Sequence, residues 1–145
     1  FMTLAEQELK MAQRTRRRIF LLFMDMDGLK KINDTLGHLE GDAALLETAQ
    51  LLRETFRESD ILARLGGDEF AVLAMQTVQE NWNIPSARLQ NNLTAHNARQ
   101  DRLYTLSLSV GSARYDPDAP CSVEELLACA DGLMYEEKRH KRNHD

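Results

Sequence analysis

The sequence predicts an α/β (α+β) domain, a central and mostly antiparallel sheet flanked by helices, and three stretches carry that expectation. Residues 19–24 form an unbroken apolar run of strand length, as expected of a central strand buried on both faces. Residues 61–65 and 70–75 are two further apolar runs, joined through Gly66-Gly67-Asp68-Glu69. That joint reads as a tight hairpin, because glycine reaches positive φ at little steric cost. Residues 104–111 alternate Tyr104, Leu106, Leu108 and Val110 with Thr105, Ser107 and Ser109, the pattern of a strand buried on one side.

Helical periodicity fills the intervals. Residues 2–15 set Leu4, Ala5, Leu9 and Met11 among charged and amide side chains, a helix with a narrow apolar stripe. The basic cluster Arg14, Arg16, Arg17 and Arg18 follows, suited to a helix C-terminus. After the central strand, Leu29, Ile32 and Leu36 share one face of a short helix that Gly37 can end, while Lys30 and Asn33 share another. Gly41-Asp42 opens a longer helix to about residue 56, with Asp42 placed as its N-cap and Ala44, Leu45, Leu52 and Phe56 as buried positions. Residues 76–83 read as a polar loop, and Pro85 opens a weak amphipathic helix carrying Ala87, Leu89 and Leu93. Asp116-Pro117-Asp118 and Pro120 make a loop, and Ser122-Val123-Glu124-Glu125 has capping-box spacing. The final helix takes Leu126, Leu127, Ala130, Leu133 and Met134 as its core face and ends in Lys138, Arg139, His140, Lys141 and Arg142.

A length of 145 residues suits one domain with a real core, and 43% hydrophobic with 28% charged residues excludes disordered and fibrous classes. A net charge of -5 argues against a nucleic-acid polymer as partner. No apolar run approaches the roughly 20 residues that span a bilayer, so the domain is expected to be soluble and cytoplasmic, with membrane attachment only through a region outside it. Cys121 and Cys129 are expected as free thiols, since on one helix they would be separated by about 12 Å of rise. Phe1, at the head of a helix-like segment without an initiator methionine, implies a fragment of something longer.

Carboxylates gather at two places where the predicted sheet ends. Asp25 and Asp27 emerge from the central strand, where a rigid scaffold suits metal ligands, although Asp and Gly also terminate strands as turn residues. Asp68 and Glu69 sit beside bare glycine backbone, which can admit a bulky anion on one side and hold a divalent cation on the other. The plain alternative is a solvated acidic turn.

In this order and at these intervals, Asp25-Met26-Asp27-Gly28-Leu29-Lys30-Lys31-Ile32-Asn33-Asp34-Thr35-Leu36-Gly37-His38, Gly41-Asp42 and Arg64-Leu65-Gly66-Gly67-Asp68-Glu69-Phe70 resemble the GGDEF family of bacterial diguanylate cyclases. Ser109-Val110-Gly111, Ala130-Asp131, Tyr135, Lys138 and Arg142-Asn143 extend the resemblance from about residue 19 to the end. It implies a fold like that of adenylate cyclase catalytic domains and the polymerase palm, with a ferredoxin-like core. It also implies a single catalytic domain over residues 1–145, lacking the family's first, Asn-Arg-containing motif and an N-terminal sensor or dimerisation region.

The implied reaction condenses two GTP molecules into cyclic di-GMP with release of two pyrophosphates. By position, Asp25 and Asp68 would ligate Mg²⁺ (or Mn²⁺), assisted by the Met26 backbone carbonyl. Lys30, Lys138 and Arg142 would hold the triphosphate, Asn33 and Asp42 would read guanine, and Gly66 and Gly67 would let the nucleotide approach the backbone. Asp68 or Glu69 would deprotonate the 3′-hydroxyl. Asp42 cannot serve fully as both N-cap and base reader. Each domain would bind one GTP, so catalysis implies a homodimer facing across a two-fold axis. Arg57-Glu58-Ser59-Asp60 matches the family's R-x-x-D inhibitory site, in which Arg57 and Asp60 would grip cyclic di-GMP. Outside that context the pair reads as a surface ion pair of little energetic value.

Two positions depart from the pattern. Gly28-Leu29 stands where an aromatic is more frequent, and Lys141 where glycine often precedes Arg-Asn, adding a charge expected to alter phosphate contacts. His38 and Asp27 read as structural. Two other readings compete: a noncatalytic module that binds GTP or cyclic di-GMP, and a generic nucleotidyltransferase, which would lack the R-x-x-D and the Gly-Gly turn.

Overall fold

The structure, a computed structural model, describes residues 1–75, 83–99 and 103–144. Its elements run α1 (Met2–Thr15), β1 (Ile19–Met26), α2 (Leu29–Leu36), α3 (His38–Thr55), β2 (Ile61–Arg64), β3 (Glu69–Met75), α4 (Asn83–Asn97), β4 (Leu108–Tyr115) and α5 (Val123–His144). The strands form one four-stranded sheet in the order β2-β3-β1-β4, and each pairing is antiparallel. β1 lies inside, as its apolar run requires. Phe20, Leu22, Met24 and Met26 join a core built with α2, α3 and α4, whereas Ile19, Leu21 and Phe23 join a second core with α1 and α5. Each such burial contributes about 1.5–3 kcal/mol, so this one strand fastens both layers.

The hairpin pairs as expected, and the Leu65 N–H donates to the Glu69 carbonyl at 2.9 Å. Its φ argument fails, however. The turn is wider than a two-residue hairpin, so Gly66 and Gly67 keep ordinary backbone angles; among the described residues only Gly28, Gly37 and Arg16 have positive φ. The N-cap assigned to Asp42 is also corrected. α3 starts at His38 with Gly37 as its N-cap, and the Gly41 N–H already donates to the Gly37 carbonyl, so Asp42 lies within the helix and is free of a capping role.

β4 is buried along one face, and on the other only Leu108 and, in part, Val110 reach the core, with Ser112 half-buried and Arg114 exposed. Its register sets Ser109, Gly111, Ala113 and Tyr115 beside Asp25, Phe23, Leu21 and Ile19, on the side where α5 packs. The serines of the alternating stretch therefore face a helix, and Ser109 is fully buried. Gly111 lets α5 settle: a Cβ there would run into the Ala130 carbonyl oxygen and the Met134 nitrogen.

The apolar rows are narrower than expected in two helices. In α5 the buried row is Leu126, Ala130 and Met134, leaving Leu133 exposed; in α1 it is Ala5, Leu9 and Ala12, leaving Leu4 and Met11 exposed. Both rows follow i, i+3/i+4 spacing onto the sheet. The capping box forms, with the Glu125 N–H donating to Ser122 Oγ at 3.1 Å and the Ser122 N–H to Glu125 Oε1 at 3.3 Å. Cys121 precedes α5 rather than lying in it, and both cysteines are free. The expected loop at 76–83 falls outside the described residues except for Asn83, where α4 begins. Among the described residues no helix is long and apolar enough to cross a membrane.

Candidate active site at the end of the sheet

The acidic turn and the end of β1 lie side by side because Asp25 pairs with Glu69 and the Met26 N–H donates to the Asp68 carbonyl at 2.9 Å. This brings carboxylate oxygens of Asp25, Asp68 and Glu69 within 4.8 Å of one another. Asp25 Oδ1 is buried and has no hydrogen-bond partner. Burial is the main cause pushing the Asp25 carboxyl up to about 6; the hydrogen bond from Lys138 opposes it and the neighbouring Asp68 adds to it. Three crowded hard-oxygen donors, one of them without a partner, fit a divalent cation, whose charge would relieve the repulsion.

Metal affinity should accordingly depend on pH. Asp25 must lose its proton to ligate, so Mn²⁺ affinity is expected to fall about tenfold per pH unit below that value, followed by titration between about pH 5 and 7. A flat profile contradicts the assignment. The sign for stability is the reverse: the unfolded chain releases this proton first, so without metal the raised pKa costs stability as pH climbs from the usual carboxylate range through about 6.

Arg64 braces the turn, a role the sequence reading missed. Its guanidinium donates to the Gly66 carbonyl at 3.1 Å and to the Gly67 carbonyl at 2.6 Å. The available signal was an arginine at the last position of the strand feeding the two glycines.

Asp25, near the end of β1, and Asp27, just beyond it, lie under α5, which lays two lysines over them. Lys138 Nζ stands 3.0 Å from Asp25 Oδ2 and 3.9 Å from Asp27 Oδ1. Lys141 Nζ donates to Asp27 Oδ2 at 2.8 Å and to the Leu108 carbonyl at 2.7 Å. The Ser107 and Ser109 hydroxyls each donate to Asp27 at 2.7 Å. Burial works against ionised Asp27, but these hydrogen bonds, led by that of Lys141, hold it below the usual carboxylate range. Asp27 thus ties α5 to β1 and β4. Lys141 pairs with Asp27 while also lining the cavity that Lys138 and Arg142 line.

The remaining predicted residues fall into separate places. Lys138, Lys141 and Arg142 line a cavity of about 810 Å³ together with Asp27, Gly28 and Lys31. Arg142 and Lys30 are exposed, and neither has an ion pair among the described residues. Asp42 lines a second cavity of about 460 Å³ with Leu45, Arg64 and Phe70, at the edge of the hairpin. Asn33 packs against Gly41, where a Cβ would overlap its Oδ1, so the bare Cα leaves room for the carboxamide next to Asp42. Asp60 accepts the Arg57 N–H at 3.0 Å and the Met75 N–H at 3.1 Å, tying the start of β2 to the end of β3, with the Arg57 side chain exposed.

Known proteins resemble this chain in sequence and fold. The family model described as "Diguanylate cyclase, GGDEF domain" matches residues 1–144. Diguanylate cyclase TpbB of Pseudomonas aeruginosa is 39% identical over 139 residues, a match covering 92% of this chain and 31% of TpbB. The solved GGDEF domain of TpbB is 36% identical, with a TM-score of 0.82 over 97% of this chain and 82% of that one. A microbial GGDEF domain solved with cyclic di-GMP is 29% identical, with a TM-score of 0.78 over 95% of this chain and 84% of that one. The chain spans 17% to 39% of the length of the first curated relatives it matches. With the family pattern matched along nearly its whole length and the same fold in a solved relative, the chain belongs to the diguanylate cyclase GGDEF domain family.

Proposed function

We propose that this domain condenses two GTP molecules into cyclic di-GMP and two pyrophosphates with the help of a divalent cation, Mg²⁺ or Mn²⁺. The observation that carries the reading is the cluster of Asp25, Asp68 and Glu69 oxygens within 4.8 Å, with the buried Asp25 Oδ1 lacking a partner. TpbB, named a diguanylate cyclase, supports it by likeness.

In each half-reaction the 3′-oxygen of one GTP bonds to the α-phosphorus of the other, and the bond from that phosphorus to the pyrophosphate oxygen breaks. The acid pair Asp68 and Glu69 takes the 3′-hydroxyl proton. Asp25, Asp68 and the Met26 carbonyl would hold the cation, which when bound neutralises charge on the reacting phosphates. Lys30, Lys138 and Arg142 hold the triphosphate and receive the pyrophosphate charge. Asp42 accepts from guanine N–H groups and the Asn33 carboxamide both donates and accepts, which discriminates against adenine. Gly66 and Gly67 let the nucleotide lie close to the backbone. One domain presents one such half-site, so two copies face each other to react. GTP as substrate puts the domain on the cytosolic side.

Arg57 and Asp60 serve as the product-binding inhibitory pair. Asp60 already accepts two backbone N–H groups, so it is held rigid and contributes a fixed acceptor, while the exposed Arg57 supplies the grip. Arg57→Ala is expected to raise the cyclic di-GMP concentration needed for half-inhibition about tenfold or more, read from progress curves with added product; unchanged inhibition rejects the role.

The reading is tested by incubating the chain with GTP and Mg²⁺ and analysing the nucleotides chromatographically. Cyclic di-GMP with pyrophosphate supports it. Guanine nucleotide that binds without yielding product makes the domain a noncatalytic binding module instead.

A further inference from the structure

We propose that Lys141 is a positioning residue for nucleotide binding: by saturating Asp27 it keeps Lys138 directed at Asp25 and at the cavity that both lysines line with Arg142. The inference rests on the diguanylate cyclase reading, in which Lys138 holds the triphosphate.

The geometry sets two carboxylates against two ammonium groups. Asp25 lies near the end of β1 and Asp27 just beyond it, and Lys138 and Lys141 stand one turn apart on α5 above them. Lys138 Nζ lies between both acids, at 3.0 Å from Asp25 and 3.9 Å from Asp27. Lys141 is nearer to Asp27, at 2.8 Å, and its place is fixed by the Leu108 carbonyl at 2.7 Å and Glu137 Oε1 at 3.4 Å. With the Ser107 and Ser109 hydroxyls also donating, Asp27 is matched in charge and hydrogen bonds without Lys138.

With the Lys141 ammonium removed, Lys138 still stands within ion-pair reach of Asp27, at 3.9 Å. The Asp27 and Lys138 side chains are only 19% and 21% exposed, so their attraction is weakly screened compared with a surface pair. Lys138 is then drawn onto Asp27, and an incoming triphosphate must pull it away. A purely mechanical strut differs in one respect: removing Asp27's charge relieves the defect of a lost Lys141 only if competition for Lys138 is the cause.

The test measures binding of 3′-deoxy-GTP with Mg²⁺ by calorimetry, a nucleotide that keeps base and triphosphate but lacks the attacking hydroxyl. The parent chain, Lys141→Met, Asp27→Asn and the double variant are compared, with melting transitions confirming that each is folded. Lys141→Met is expected to bind about fivefold more weakly, and adding Asp27→Asn to bring affinity back to within about twofold of the parent. A crystal structure of Lys141→Met without nucleotide is expected to show Lys138 Nζ on Asp27 instead of Asp25. Parent-like affinity in Lys141→Met, or a double variant that binds no tighter than Lys141→Met, overturns the inference alone. A folded parent chain that binds no nucleotide overturns the cyclase reading and the inference with it.

Discussion

Asp68→Asn is expected to cut cyclic di-GMP formation by about a thousandfold or more while leaving the domain folded. Asp68 is one of three acids whose oxygens crowd within 4.8 Å, and under the proposed function its neutralisation removes both a metal ligand and a proton acceptor from the reaction. Its structural task at the end of the sheet is done by the main chain, since the Asp68 carbonyl, not the carboxylate, accepts the Met26 N–H. The substitution therefore spares the fold, and it removes a charge that helps to raise Asp25. The Asp25 carboxyl should accordingly titrate below about 6 in the variant, observable by NMR, and the melting temperature should not fall. A variant that melts early would mean that the turn is a structural element, and retained activity would mean that the cluster is not the reacting centre.

Gly111→Ala is expected to destabilise the domain by about 3 kcal/mol, a large loss for one methyl group. The atoms a Cβ would meet, the Ala130 carbonyl and the Met134 nitrogen, belong to the backbone of α5 and cannot rotate aside. The whole helix must lift from β4, which carries Lys138 away from Asp25 and Lys141 away from the Leu108 carbonyl. Stability and activity should fall together. Gly132→Ala is the matched control, because nothing lies within 4 Å of its Cβ position and the change suits a helix interior, with an expected gain of about 1 kcal/mol. Denaturant midpoints for the two variants decide the point, and a Gly111→Ala protein as stable as the parent contradicts the close approach.

The sequence made β1 readable because a strand covered on both faces has no polar alternation to confuse it, and the two runs around Gly66-Gly67 were readable because the hairpin is local in the chain. Long-range covering was harder to see. Ser107 and Ser109 look like a solvent face in the alternating stretch, but α5 lies over them and their hydroxyls are consumed by Asp27. The start of α3 was set too late because Gly37 both ends α2 and caps α3, and a shared cap leaves no polar N-cap side chain to read. In the site, the acids were legible as residue types at strand ends. Their convergence needed the register that sets Asp25 beside Glu69, and the inward turn of Lys141 needed the crossing of α5 over β1.

The central claim, that this turn of acids makes cyclic di-GMP from GTP between two copies of the domain, is tested most directly by the initial rate of product formation with Mg²⁺ as the chain's concentration is raised. The account predicts cyclic di-GMP at a rate per chain that rises with concentration until the copies are fully paired. A rate per chain that stays constant from dilute solution upward, or no product from a chain that binds the nucleotide, contradicts it.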